Sequence, residues 1–338
     1  LWVASLCLFA GATAANAQQI KLLPGDTELI FNINLQQMLK SEMAKENKLL
    51  IDLLKAKVKE GLEDKGLAKH LEKAGFDLFR DLHSVTVGVP GARSPDEIFI
   101  LIEGTFDEDK IETAIKEAGK EAGGGVKATK IAGAKAFEIS PQDEKTVFIG
   151  ILDAKTIIAC AVKSDFEEAV ARMKGTKSGF KAEIMKKLAS TVNAKQSISV
   201  IATTKLIGDV GAQAAENFGK AGGRAKQAAE MLKTLEGLSF ALSIQKDIEF
   251  QIGVNAKDAD TAKGIADLGT LALDSIKKKA ADKAKEDEQA KTAMEILESI
   301  RITAKGSNLI IRGQLNFDTV QKGIDKKFPP KKDTPKDK

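Results

Sequence analysis

Two histidines, one interior cysteine and many carboxylates are the side chains of this chain that could do chemistry, so their spacing is the first thing to read. His70 stands in GLAKHLEKAG at a helix end, where a cation suits the dipole, and His83 opens a strand after RDL. Neither has a second His or Cys at ligand spacing, and the chain contains no H-E-x-x-H or C-x-x-C. The stretch DADTAKG, residues 258 to 264, opens like a calcium loop but lacks the bidentate glutamate at the twelfth position, so it reads as a helix cap. Cys160 lies in TIIACAVK among apolar neighbours, where a thiol behaves as a small buried hydrophobe and not as a nucleophile with a base beside it.

The carboxylates fare no better as a catalytic set. Asp107 and Asp109 flank a helix start, and Glu167 and Glu168 are adjacent residues that face different ways on a helix. A glycosidase needs two acids converging in a cleft, with aromatic platforms for the sugar; the only Trp is Trp2 and there is no Tyr. The glycine clusters EAGGGVKAT and GKAGGRAKQ lack the G-x-x-x-x-G-K-[ST] spacing of a phosphate loop, and no G-x-S-x-G elbow is present. The residues therefore predict no catalytic site, no cofactor and no metal.

What the sequence does write clearly is a structural unit. DEIFILIEGTFDEDKIETAI, KTIIACAVKSDFEEAV, DIEFQIGVNAKDADTAKGI and NLIIRGQLNFDTVQKGI each run from an alternating strand into an acidic helix start. Ile98, Ile100 and Ile102, or Ile248, Phe250 and Ile252, have the period of a strand with one face buried. Ser164 and Glu167 have capping-box spacing, and Asp107, Asp109, Asp165 and Asp318 fall where the helix dipole favours negative charge. ELIFNINLQQMLKSEM and QSISVIATTKLIGDV add two further strand-to-helix units. The six fall into two sets of three, each ordered strand, helix, strand pair, helix, strand pair, helix, which predicts an internal duplication. The expected fold is α+β, with two related domains that are each an antiparallel sheet with helices packed on one face.

The domain boundaries expected are 18 to 175 and 197 to 327, joined by a helical connector at 176 to 196. The segment KKKAADKAKEDEQAKT, 277 to 292, has only alanines as apolar residues and predicts a solvated helical arm or hairpin. FPPKKDTPKDK, 328 to 338, has the composition of a disordered tail.

At the other end LWVASLCLFAGATAANA, residues 1 to 17, is a short apolar run ending in Ala-x-Ala. Ala15 and Ala17 suit a signal peptidase, with cleavage before Gln18, and the run is too short to anchor in a bilayer. Leu6 before Cys7 argues against lipidation. Export to the periplasm or beyond is the expected localisation, with no transmembrane anchor after processing. A net charge of +4 from 52 basic and 48 acidic side chains of interleaved sign describes a soluble surface, and it disfavours nucleic acid as a partner.

LLPGDTELIFNINLQQMLKS, AGFDLFRDLHSVTVGV and EIFILIEGTFDEDKIETAI resemble a group of exported bacterial proteins of unknown role. In these a Pro-x-Asp-Thr opening precedes the first strand and an Asp-Leu segment leads into paired strands. The resemblance covers mainly residues 20 to 175 and implies export; it supplies no functional residue. The sequence thus points to a non-enzymatic exported protein that binds a protein partner, an envelope component or an apolar ligand. The alternatives are an enzyme of unfamiliar type using carboxylate or Lys chemistry, or a structural envelope component assembling through sheet edges.

Overall fold

The computed structural model describes residues 20–64, 67–73, 75–91, 97–121, 125–140, 145–191, 195–205, 234–284, 288–319 and 321. The leader with Ala15, Ala17 and Gln18, the first glycine cluster's centre, the second cluster and the Lys/Pro tail lie outside the described residues.

In chain order the elements begin with β1 (Thr27–Asn34), α1 (Leu35–Lys40), α2 (Glu42–Glu46), α3 (Lys48–Asp64), α4 (Leu67–Lys73) and α5 (Leu78–Asp81). They continue with β2 (Leu82–Pro90), β3 (Phe99–Gly104), α6 (Glu108–Glu121), β4 (Gly125–Ile131), β5 (Ala134–Ser140), β6 (Val147–Asp153), β7 (Thr156–Cys160), α7 (Lys163–Met173) and α8 (Glu183–Ala189). The rest are β8 (Ile198–Thr203), β9 (Leu235–Ile244), β10 (Ile248–Ala256), α9 (Ala259–Lys283), α10 (Glu288–Ser299), β11 (Arg301–Lys305) and β12 (Asn308–Leu315).

The class is α+β, as the alternating strands and tight turns require. All twelve described strands form one antiparallel sheet in the order β11-β12-β10-β9-β8-β1-β2-β3-β7-β6-β5-β4. The halves meet where β1 pairs β8, with Phe31 opposite Val200 and Ile30 opposite Ile201. Read outward from that seam, each half runs through a strand and a pair, and then the chain crosses by a helix to the sheet's outside. From there it returns inward: β4 to β7 come back to pair β3, and β11 and β12 come back to pair β10.

Helices cover both faces of the first half where one face was expected. Strand β3 shows why: Phe99 and Leu101 are fully buried on one face while Ile100 and Ile102 point to the other, so each side needs a cover. The face bearing Ile30, Phe99, Leu101, Ile158, Cys160 and Ile201 packs against Phe166, Ala169 and Val170 of α7, Met185 and Leu188 of α8, and Ile20 to Leu23. Gly150 admits this packing, because a Cβ there would stand 2.2 Å from the Phe166 ring. The opposite face carries two separate clusters. Ile111 and Ile115 of α6 lie with Phe106, Phe137, Ile151 and Ile157 at one end, and Ala262 and Ala266 of α9 lie with Leu235, Val254 and Leu309 at the other.

The stretch expected as a connector carries α8, and the charged stretch 277 to 292 falls on α9 and α10, which pack against each other. Asp258 caps α9, its Oδ1 accepting from the Thr261 amide at 2.7 Å. The capping box at Ser164 does not form. Helix α7 starts two residues earlier than that cap requires, so its N-cap is Val162, which makes no side-chain cap bond, and Ser164 lies inside the first turn.

Candidate functional site

Between the α6 and α9 clusters the sheet presents a run of apolar side chains of which, among the described residues, Leu238 alone packs against one of the three buried clusters. Cross-strand partners share a face, so the register places them in rows. One row passes Ile100, Val87, Phe31, Val200 and Phe240, from β3 through β2, β1 and β8 to β9. A second passes Val85, Ile33, Ile198, Leu242 and Phe250. Val89 and Leu29 begin a third, which continues into Ala202 and Leu238. At about 4.8 Å per strand, the floor from β3 to β10 is about 24 Å long.

Most of these residues are part-buried; Ala202 is buried at 5%, and Phe240, at 38%, is the one that is exposed. The floor is therefore recessed, not a projecting patch. It carries no ionisable side chain in the three rows, so what it offers a ligand is apolar contact area, worth roughly 25 cal/mol per Å2 removed from water.

The opposite face holds a polar row that the sequence reading did not single out. Glu103 is 7% exposed, and its carboxyl is hydrogen-bonded to the Ser84 hydroxyl. Burial pushes the Glu103 pKa up to about 7, with the Asp153 charge adding to the rise. One row further on, the Asn32 amide donates to the Thr86 hydroxyl at 2.7 Å. The signal was available in FILIEG: an acid in phase with Phe99 and Leu101 must share their burial.

The candidates that the sequence did offer are dispersed. His70 Nε2 lies 3.2 Å from Glu121 Oε2, linking α4 to α6, and its Nδ1 is buried without a hydrogen-bond partner. His70 thus stands in the last turn of its helix, as expected, and its ring meets Glu121 of α6. His83 is held below the usual histidine range by partial burial and then by the charges of Lys40 and Lys155. Cys160 is 2% exposed, and its thiol donates to the Val162 carbonyl at 3.4 Å. The Asp107 carboxyl accepts from the Lys110 amide at 3.2 Å, which holds it below the ordinary carboxylate range. Glu168 bonds Lys177 and Arg172, which hold its pKa down against the upward push of burial. Among the described residues no three His, Cys, Asp or Glu side chains converge as a metal cluster would. Glu103 has the one large carboxylate shift among them, and the structure brings no second acid of that kind beside it.

No protein-family model matches the chain, and no curated protein matches it. Two solved structures are similar: crystal form III of TP0453, with a TM-score of 0.46, 9% identity and coverage of 91% of this chain and 98% of that one. Crystal form IV of TP0453 gives a TM-score of 0.45 at 10% identity over 90% of this chain and 96% of that one. Among the described residues, no helix is long and apolar enough to cross a membrane.

Proposed function

We propose that this is an exported, non-enzymatic binding protein whose ligand is an elongated apolar molecule laid along the sheet floor between α6 and α9. The observation that carries the reading is the register of Ile100, Val87, Phe31, Val200 and Phe240, an unbroken apolar row across five adjacent strands outside every buried cluster. A recessed floor flanked by helices suits a slender ligand better than a flat protein surface, which would need its contact residues to stand proud. Export rests on the apolar leader ending in Ala15 and Ala17, and the shared path of the two half-sheets supports a duplication behind the architecture.

The two other readings fit the molecule less well. An enzyme would need groups in mutual reach, and Glu103 faces away from the floor, bonded to Ser84. Assembly through sheet edges would favour long, bare edge strands. Here the edges are β11, five residues with Arg301 and Lys305, and β4, with Lys127 and Lys130, the charges that natural edges use against pairing.

Organic extraction of the protein purified from its export compartment tests the proposal. An apolar molecule should be recovered in near-stoichiometric amount from the wild type and be much reduced in Phe240→Asp. Recovery of nothing, or of equal amounts from both, would overturn it.

A further inference from the structure

On the other face of the sheet, and independent of the apolar floor, β12 and β11 place two arginines directly opposite each other: Arg312 is the register partner of Arg301. Gln251 of β10 is the partner of Arg312 on the other side, so all three share one face. Like charges directly opposite in an antiparallel pair are destabilising. A carboxylate between them would remove that cost, and among the described residues neither arginine is ion-paired with one. Arg301 donates from Nη1 to the carbonyls of Glu298 and Ile300, and Arg312 donates from Nε to Gln251 Oε1 at 2.9 Å. Each guanidinium is thus oriented by a neutral acceptor that leaves its charge unbalanced. Among the described residues the two Nη groups of Arg312 have no hydrogen-bond acceptor.

Beside Arg312 lies a groove of about 480 Å3, walled by Arg312, Gln251, Gln314, Ser243, Gln245 and Glu249 among others; Arg301 stands outside its lining, across the β11–β12 ladder from Arg312. Its floor is hydrogen-bonding and contains amides and hydroxyls. Glu249 is two register pairs along the β10–β12 ladder, on the same face and opposite Gln314, and among the described residues it makes no ion pair with either arginine.

We propose that the Arg301–Arg312 pair is the anchor of a binding site for an oxyanion-bearing polar small molecule, whose carboxylate or phosphate bridges the two guanidinium forks while its body lies in the groove. The planar fork of arginine matches both oxyanions, and a charge-assisted bond to either is about twice as strong as a neutral one. The Gln251 amide, already fixed through Arg312, supplies a further donor from its nitrogen.

The test is a titration of the full chain with inorganic phosphate and with acetate at constant ionic strength, following the arginine Nε–H signals by NMR. Saturable shifts of the Arg312 and Arg301 signals are expected with at least one anion, and affinity should fall at least about tenfold in Arg312→Gln and separately in Arg301→Gln. Arg80→Gln, which removes an arginine already paired with Asp81, should bind as wild type. The stronger of the two anions identifies the class, tetrahedral or planar. Shifts that never saturate, or saturable binding retained in both Arg301→Gln and Arg312→Gln with their folds intact, would overturn the assignment.

Discussion

Below about pH 4.5 the Glu103 carboxyl is protonated in both the folded and unfolded chain, and its burial costs little. Between there and about pH 7 the unfolded chain ionises while the folded one resists, so stability drains away as pH rises through that window. Glu103→Gln keeps the shape and an acceptor for the Ser84 hydroxyl but removes the titration. At pH 8 the variant should be more stable than wild type by on the order of 2 to 3 kcal/mol, and at pH 4 the two should be nearly equal. Thermal denaturation of both proteins at the two pH values checks this; a difference that does not change with pH would show that Glu103 is not a buried acid. The residue was legible in principle, since its phase with Phe99 and Leu101 is plain in FILIEG. It was passed over because a lone acid in a strand does not resemble a catalytic pair, and only the fold shows that both strand faces are covered.

At the level of elements, caps and strand positions were the most legible, because they depend on neighbours in sequence. Asp107 and Asp258 bond the amides of Lys110 and Thr261, and the β9–β10 turn falls at Gln245 to Asp247, between two stretches whose alternation is plain. The capping box at Ser164 failed because the helix begins at Lys163, two residues earlier than that cap requires, and packing of Phe166 under Gly150 favours that start over the local cap. The β4–β5 hairpin turn was not marked at all. It is a two-residue turn at Ala132 and Gly133, both with positive φ (53° and 87°), and alanine is not a residue that announces such a turn. Holding alanine in the left-handed region costs roughly 1 kcal/mol, which asparagine largely avoids. Ala132→Asn should therefore stabilise the protein by about 0.5 to 1 kcal/mol, read as a higher urea midpoint with an unchanged slope. A lower midpoint would mean that the turn is held by contacts at Ala132 and not by its backbone.

For the molecule as a whole, the continuity of the sheet was beyond sequence reasoning. The alternation in TELIFNIN and ISVIAT says that each is a strand with a buried face, yet nothing in either stretch says that they pair with each other. The same gap hid the floor: Phe31 and Val200 are 169 positions apart in a chain whose pattern is read a dozen residues at a time. With the twelve described strands in one ladder, β4 and β11 are its ends among the described residues, and their lysines and arginine protect those ends. Lys127→Val with Lys130→Val should turn β4 into an adhesive edge. The double variant should then associate in a concentration-dependent way in size-exclusion chromatography with light scattering, whereas a variant that stays as the wild type does would show that charge is not what guards the edge.

The central claim is that the recessed apolar rows between α6 and α9 are a binding surface, and a neutral apolar fluorophore such as N-phenyl-1-naphthylamine tests it most directly. Fluorescence titration should give saturable binding that weakens at least about tenfold in Phe240→Asp and in Val200→Asp. Leu271→Asp, at the most exposed large apolar residue of α9 (66%), should leave it unchanged. Binding that is lost in Leu271→Asp but kept in the two floor variants, or no saturable binding at all, would contradict the account.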